Sequence, residues 1–451
     1  MRTIYIETLG CSKNLCDSEF AAGVLEEAGY RTVADPAEAA VILVNTCGFI
    51  DDAKRESIDA ILELSAHKAE GRRLVVSGCL SQRYGAELAR ELPEVDLFLG
   101  VGEYARLADI LDDANAGADA RRCGGPAGAG KGGEAESGAG VFPRRRRFGP
   151  AHTASVKIAE GCDNRCAYCV IPDIRGPYKS RAIDDILRES EALVAGGAAE
   201  LVLVAQDVTN YGADLYGKPV PAKLVRELCG LRGLRWLRLM YCYEDRVTEE
   251  LIEAMAAEEK VCHYIDLPLQ HASDRVLSAM RRRSSKASML RTIERLRAAI
   301  PDIHIRTTLI TGFPGESRAD FDELADFVER VRFERLGVFA YSREEGTPAA
   351  SMKGQLREAV RSSRRDKLLR LQQGISLEKN RAKIGRTLEA LVEERERDGS
   401  FSGRTRYDAP EIDNGILFTA AADAKAAPAP GDIVRVRVDD AFDYDLSGHM
   451  V

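Results

Sequence analysis

Three cysteines stand close together in the middle of the sequence, at Cys162, Cys166 and Cys169. Their spacing, C-x3-C-x2-C, puts three thiolates on one short loop with no fourth nearby. A cubane iron–sulfur cluster normally takes four cysteine ligands, so three of them leave one iron with an open coordination position. An open iron can bind a small molecule and pass it an electron. The alternative is a zinc site, but zinc motifs usually pair C-x2-C with a second pair of ligands. The spacing therefore favours an iron–sulfur cluster.

A second set of three cysteines is spread over the first 80 residues. Cys11, Cys47 and Cys79 each follow a predicted strand and adjoin a glycine. Strands that alternate with helices form a parallel sheet, and such sheets bind ligands at the shared edge of their carboxyl ends. We therefore expect the three thiols to meet and to hold a second cluster, although buried core cysteines are an alternative. The predicted strands are residues 3–8, 41–45 and 74–77, and the predicted helices are residues 17–28, 51–65 and 82–92.

The middle of the chain repeats one pattern six times. Apolar runs alternate with helical segments, which predicts six βα units and a partial barrel with its site at the carboxyl ends of the strands. The C-x3-C-x2-C loop follows the first of these strands. The six apolar runs are residues 154–159, 201–205, 236–241, 264–269, 303–310 and 336–341.

The end of the chain has β character. Short apolar runs between turn residues predict a small five-stranded barrel. Residues 384–451 contain 14 Asp and Glu against 8 Lys and Arg. A domain that grips an RNA backbone should be basic, so this one suits a basic protein better. The five runs are residues 388–392, 403–407, 416–419, 433–438 and 444–451.

These patterns predict an α/β protein of three domains, about what 451 residues suggest at roughly 150 per domain. Residues 1–112 form the amino-terminal parallel α/β sheet domain, residues 151–373 the partial (β/α)6 barrel, and residues 374–451 the small carboxy-terminal barrel. Residues 113–150 are rich in glycine and predict a flexible linker. The linker contains Cys123, which we expect to bind nothing, and the basic run at residues 144–147, which we expect to be solvated.

The composition indicates the cellular compartment of this protein and the kinds of partner that it binds. No apolar segment approaches the ~18 residues of a membrane span, and the first residues resemble a strand more than a signal peptide. Eleven cysteines then indicate thiolate chemistry in a reducing compartment, so we expect a cytoplasmic protein. The net charge of −8 argues against broad nucleic-acid binding.

The combined motifs resemble a known family. The C-x3-C-x2-C loop is the signature of the radical S-adenosylmethionine enzymes. Together with the three amino-terminal cysteines and a terminal barrel similar to a TRAM domain, it resembles the methylthiotransferases over nearly the whole chain except the linker. One branch modifies an adenosine of transfer RNA (MiaB type), the other an aspartate of ribosomal protein S12 (RimO type). This sequence is similar to the second branch at residues 10–15, 17–19, 45–53, 408–413 and 445–449.

The resemblance implies two 4Fe–4S clusters and S-adenosylmethionine as cofactors, with no catalytic residue beyond the clusters. Cys162, Cys166 and Cys169 would hold the cluster that generates the radical. The other three cysteines would hold a cluster that delivers sulfur to the β-carbon of the aspartate, and a second S-adenosylmethionine would supply the methyl group. The implied partners are ribosomal protein S12 and an electron donor such as flavodoxin or ferredoxin, with nucleic acid touched only incidentally on the ribosome.

The resemblance also suggests contacts to S-adenosylmethionine. Arg306 interrupts an apolar strand and needs an anionic partner, which is either the cofactor or substrate or a residue within the barrel. The glycine pair before Glu200 could equally be a helix stop. Cys16 stands where the family usually has an aliphatic residue, and we expect a spare thiol; for His271 we expect a structural hydrogen bond. The expected contacts are Tyr168, Glu200, Gln206, Arg306, Gly312 and Gly315.

Three alternatives stay open from sequence alone. The nearest is a methylthiotransferase of the transfer-RNA type, which would share the mechanism and differ in substrate. The second is an iron–sulfur protein that binds RNA or transfers electrons without radical chemistry. The third is a zinc-binding structural module.

Overall fold

The computed structural model describes residues 2–68, 71–115, 145–421 and 427–451. Cys123 and Arg144 lie outside these residues. The amino-terminal elements are β1 (Arg2–Thr8), α1 (Ser12–Glu27), β2 (Tyr30–Thr32), β3 (Val41–Thr46), α2 (Asp51–Ser65), β4 (Arg73–Gly78), α3 (Cys79–Glu91), β5 (Leu97–Phe98) and α4 (Leu107–Asn115).

The middle of the chain contains the largest group of elements. In chain order they are β6 (Thr153–Lys157), β7 (Ala159–Glu160), α5 (Ile171–Arg175), β8 (Lys179–Ser180), α6 (Ile183–Ala195), β9 (Glu200–Val204), α7 (Ala213–Tyr216), α8 (Pro221–Cys229), β10 (Trp236–Leu239), α9 (Glu249–Ala257), β11 (Val261–Asp266), α10 (Asp274–Ala279), α11 (Lys286–Ala299), β12 (His304–Thr311), α12 (Arg318–Val331), β13 (Arg335–Ala340) and α13 (Glu358–Arg381).

Five strands make up the carboxy-terminal part. They are β14 (Thr387–Arg395), β15 (Phe401–Thr405), β16 (Ile416–Thr419), β17 (Ile433–Ala441) and β18 (Leu446–Met450). They form a closed barrel in the order β14-β15-β16-β18-β17, as the sequence predicts. Alternate residues such as Phe401, Phe418 and Val436 fill its interior, which follows from the two-residue period of a strand.

The amino-terminal sheet is parallel, with strand order β2-β1-β3-β4-β5. Every residue of β3 is buried, because helices cover both faces of a parallel sheet and make its central strands apolar throughout. The three strands predicted from sequence are β1, β3 and β4. The short edge strands β2 and β5 were not predicted, because a run of two or three residues is too short to show the two-residue periodicity of a strand.

The six predicted apolar runs form one sheet in the order β13-β12-β11-β10-β9-β6. All of its pairings are parallel, which confirms the partial (β/α)6 barrel. Local signals set the ends of its helices. Ser317 and Asp320 form a capping box at the start of α12, while the turn after α6 places Gly197 at φ +100°, a conformation that glycine adopts readily.

Contacts divide the chain into two compact units. One contains residues 1–149, 159–179 and 344–347, and the other contains residues 150–158, 180–343 and 348–451. The C-x3-C-x2-C loop thus belongs to the same unit as the amino-terminal sheet. At the end of the expected linker, Arg145 pairs with Glu19 of α1 and is buried, so the expectation of solvated charge is wrong at this position.

None of the helices in the described part of the chain is long and apolar enough to cross a membrane.

Candidate functional site

The loops that carry Cys11, Cys47 and Cys79 meet at the carboxyl edge of the amino-terminal sheet. A Cβ atom built on Gly10 would lie 2.8 Å from Cβ of Cys47, and one built on Gly48 would lie 2.7 Å from Cα of Leu80. The residue beside each cysteine therefore touches the next cysteine loop. These approaches bring the three cysteine loops together at one edge of the sheet, and they explain the glycines.

The same neighbourhood perturbs the thiols. Burial is the largest influence and raises the pKa of Cys47 to about 11, with further increases from the charges of Cys79 and Cys11. Burial also raises the pKa of Cys79, against the opposing charge of Arg175. For Cys11 burial is outweighed by the Lys13 charge and by amides of the first turn of α1, and its pKa is lowered. Mutual repulsion of this kind requires three thiols in one small space.

The second set of cysteines lies on the loop between β7 and α5. Cys162 and Cys166 are each only 5% exposed. The amide of Cys169 donates to the Cys166 carbonyl at 3.1 Å, and the amide of Ile171 lies 3.5 Å from the Cys169 sulfur. Burial, followed by the charge of Cys166, raises the pKa of Cys169. The loop is compact and presents three thiols next to one another.

Arg175, at the end of α5, joins the two sets of cysteines. Its guanidinium donates to Asp17 Oδ2 and Asn14 Oδ1, each at 2.7 Å, and to the sulfur of Cys79 at 3.3 Å. The apolar side chains of Val170 and Ile174 also pack against Cys79. The helix that follows Cys169 is thus seated on the amino-terminal cysteine loops.

The donor sets fit iron–sulfur clusters. None of the ten cysteines among the described residues forms a disulfide, so their sulfurs are available as thiolates, the ligands that clusters require. Each set supplies three thiolates, the number that leaves one iron of a cubane cluster with an open coordination position.

Two of the expected S-adenosylmethionine contacts form ion pairs within the fold. Glu200 begins β9, at the amino end of the barrel strands, and its two oxygens accept from Arg238 and Arg404, each at 2.7 Å. Arg306 donates to Asp266 at 2.9 Å and lies 3.4 Å from Asp413. These ion pairs account for the burial of both charges, and contact with S-adenosylmethionine stays a prediction for both residues.

The other expected contacts keep their positions. Gln206 follows β9 and Gly312 follows β12, so both lie at the carboxyl edge of the six-stranded sheet, where such barrels place their sites. The Gly312 amide donates to Glu316 at 2.6 Å, and Gly315 has φ +80°. Both glycines thus shape a turn at the site edge. Tyr168 lies inside the cysteine loop of the other unit. Contact of these four residues with S-adenosylmethionine stays a prediction.

Sequence reasoning missed two strained residues at the same edge. Tyr241 and Gln270 have φ values of +56° and +71°, which non-glycine residues adopt mainly where function or packing enforces it. Nearby, His271 accepts from the Ser273 amide at 2.9 Å, which confirms its structural hydrogen bond. Cys16 is buried within α1, and its role as a spare thiol stays a prediction.

The acidic segment at residues 408–413 forms contacts within the fold, which the sequence did not predict. Asp408 pairs with Arg335 of β13 and is buried, and Asp413 accepts from Tyr264 at 2.6 Å. Burial alone would raise the pKa of Asp408, but the Arg335 charge lowers it to about 2. These carboxylates hold the small barrel on the six-stranded sheet and do not face a partner.

Comparison with known families agrees with this architecture. Residues 3–100 match the uncharacterized protein family UPF0004, residues 156–328 the radical SAM superfamily, and residues 384–451 the TRAM domain. Among solved structures, the radical S-adenosylmethionine methyltransferase TsrM from Kitasatospora setae, with cobalamin and a [4Fe-4S] cluster bound, matches with a TM-score of 0.57. The match covers 77% of each chain at 17% identity and indicates a shared fold.

The match of residues 156–328, which include the C-x3-C-x2-C loop, defines a radical S-adenosylmethionine enzyme. Closer relatives include ribosomal protein uS12 methylthiotransferases RimO from Anaeromyxobacter sp. strain Fw109-5, at 49% identity over 99% of this chain and 93% of that protein, and from Clostridioides difficile, at 44% identity over 100% and 99%. The chain belongs to the uS12 methylthiotransferase family. This confirms the resemblance to methylthiotransferases that the cysteine motifs indicate.

Proposed function

We propose that this protein adds a methylthio group to the β-carbon of an aspartate in ribosomal protein uS12. The observation that carries the proposal is nearly full-length similarity, at 44–49% identity, to proteins named for this activity. The transfer-RNA alternative shares the domain types but is not favoured by these relatives.

In this proposal, each of the two sets of cysteines holds its own cluster. Cys162, Cys166 and Cys169 hold one 4Fe–4S cluster, and Cys11, Cys47 and Cys79 hold the other. With S-adenosylmethionine, such clusters supply the radical chemistry and the sulfur transfer that ordinary side-chain acids and bases cannot perform. The protein itself supplies each thiolate set from closely spaced loops, in which Cys79, Cys162 and Cys166 are buried. The placement of both sets in one compact unit supports their cooperation.

S-adenosylmethionine is proposed to lie against the carboxyl edge of the six-stranded sheet. Gln206, Gly312 and Gly315 belong to that edge. Glu200 and Arg306, whose charges are paired inside the barrel, stay predicted contacts. Positioning of the reacting group, which contributes much to enzymatic rates, would fall to these edge residues.

The carboxy-terminal barrel is proposed to recognise the basic substrate protein. The buried Asp408 and Asp413 cannot serve, but several carboxylates on the barrel are exposed. Opposite charges on two proteins guide their encounter. The exposed acidic residues are Glu389, Glu394, Asp398, Glu411, Asp432, Asp439, Asp440 and Asp445.

We further propose a cytoplasmic location and a flavodoxin or ferredoxin as electron donor. A reducing compartment keeps thiolates available to iron, and reduction of a cluster requires a one-electron donor.

Mass spectrometry of uS12 tests the proposed function. In cells that lack this protein, the methylthio mark should be absent from uS12, and the intact gene should restore it. The Cys162→Ala variant should not restore it, because the first cluster loses a ligand. A methylthio mark that depends on this protein in bulk transfer RNA, with uS12 unmodified, would contradict the proposal.

A further inference from the structure

Arg175, on the helix that follows the C-x3-C-x2-C loop, binds a cysteine sulfur of the amino-terminal set. Its side chain is 2% exposed and donates to the sulfur of Cys79 at 3.3 Å. We propose that Arg175 is a positioning residue that fixes Cys79 and raises the reduction potential of the cluster held by Cys11, Cys47 and Cys79. The inference rests on the ligand assignment under the proposed function.

The guanidinium is held in one orientation. Nη1 donates to Asp17 at 2.7 Å and to Glu160 at 3.0 Å, which leaves Nη2 to reach Asn14 and the Cys79 sulfur. Arginine suits such a position because its donors form a rigid planar fork and keep their charge when buried. The four contacts together define where the Cys79 sulfur lies.

A buried cation beside a cluster ligand changes the electron affinity of the cluster. Reduction adds negative charge, and hydrogen bonds to the sulfurs together with nearby positive charge stabilise that charge. The interaction is strong here because burial removes the screening that water would provide. Arg175 therefore favours the reduced form of the cluster at Cys79.

The contact also couples the two cysteine sets through one helix. Arg175 ends α5, six residues after Cys169, and Ile174 on the same helix packs against Cys79. A displacement of the C-x3-C-x2-C loop would move the guanidinium, and with it the ligand of the other cluster. A single short helix thus sets both the position and the electronic environment of Cys79.

The test uses the full chain with Cys162, Cys166 and Cys169 replaced by alanine, so that only the amino-terminal cluster can form. This triple-alanine chain is the parent, and the substitutions Arg175→Gln, Arg175→Lys and Arg145→Gln are each added to it. The iron content and the midpoint potential of each protein are measured, the potential by electron paramagnetic resonance. Arg145 is the matched control, since it is buried and pairs with Glu19 on the same helix as Asp17. The Asp17→Asn/Arg175→Gln double variant removes the carboxylate that the single variant would leave unpaired.

We expect Arg175→Gln to bind iron and to favour the reduced state about tenfold less than the parent, a negative shift of about 59 mV for one electron. The double variant also loses the opposing charge of Asp17, so its midpoint potential should lie between those of Arg175→Gln and the parent. The potential of Arg175→Lys should also lie between them, and that of Arg145→Gln should equal the parent's. Full iron with the parent's potential in Arg175→Gln, or in the double variant if the single variant binds no iron, would overturn this inference alone. A parent that binds no iron would overturn the ligand assignment and the inference with it.

Discussion

Single buried charges determine much of this structure, and Glu200 is the clearest example. It is fully buried, and its carboxylate joins Arg238 of β10 to Arg404 of β15. The residue therefore connects the six-stranded sheet to the carboxy-terminal barrel. Breaking a buried pair by removing one partner costs about 3–5 kcal/mol, because the other charge is left without compensation.

Glu200→Gln should therefore lower the melting temperature of the full chain at neutral pH, and the loss should shrink in acid. Burial opposes ionisation, but Arg404 and Arg238 lower the pKa of Glu200 from 4.5 to about 2. A lowered folded-state pKa stabilises the protein above the unfolded-state value, and that stabilisation is lost as the pH falls towards 2. Thermal unfolding from pH 7 to pH 3 measures the effect.

The matched control is Glu394→Gln, at an exposed position of the same barrel. Surface substitutions usually change stability by less than about 0.5 kcal/mol. The melting temperature of this variant should therefore equal that of the parent at every pH. A gap between Glu200→Gln and the parent that stayed constant down to pH 3 would show that ionised Glu200 does not stabilise the fold.

At the scale of elements, the sequence predicts the strands well and their long-range contacts poorly. The six barrel strands and the edge shared by Cys11, Cys47 and Cys79 follow from periodicity and from the rule for parallel sheets. Arg175 could not be found this way, because its partners Asn14 and Asp17 lie 161 and 158 positions away. An arginine in a short helix beside a cysteine motif was the one available signal.

The same limit applies to the partners of Glu200 and Arg306. The sequence singles out Arg306 as a charge on an apolar strand that needs an anionic partner, but it does not identify that partner. The partners Arg404 of Glu200 and Asp413 of Arg306 come from the carboxy-terminal barrel, and no periodic pattern connects them to the strands. The sequence therefore predicts that Arg306 has an anionic partner and leaves the identity of that partner open.

The loops after the strands yield a sharper prediction at Gly48. A Cβ atom there would lie 2.7 Å from Leu80 Cα and 2.8 Å from its nitrogen, so Gly48→Ala must displace the start of α3 and Cys79 with it. We expect bound iron to fall from about eight to about four per chain after anaerobic reconstitution. Gly102→Ala is the control, since nothing lies within 4 Å of its added Cβ. Full iron in Gly48→Ala would show that the loops tolerate wider spacing.

At the scale of the whole molecule, the compact units do not follow the order of the sequence. The C-x3-C-x2-C loop, at residues 159–179, belongs with the amino-terminal sheet, and the carboxy-terminal barrel belongs with the six-stranded sheet. The first grouping places both thiolate sets in one unit. The second grouping is stabilised by buried ion pairs such as Arg335 with Asp408.

The central claim is that each set of three cysteines holds its own four-iron cluster, and counting iron per chain after anaerobic reconstitution tests it most directly. The intact protein should bind about eight irons, and replacement of Cys11, Cys47 and Cys79 by alanine should leave about four. Replacement of Cys162, Cys166 and Cys169 should likewise leave about four. An intact protein with only about four irons, or a triple variant that retains about eight, would contradict the account.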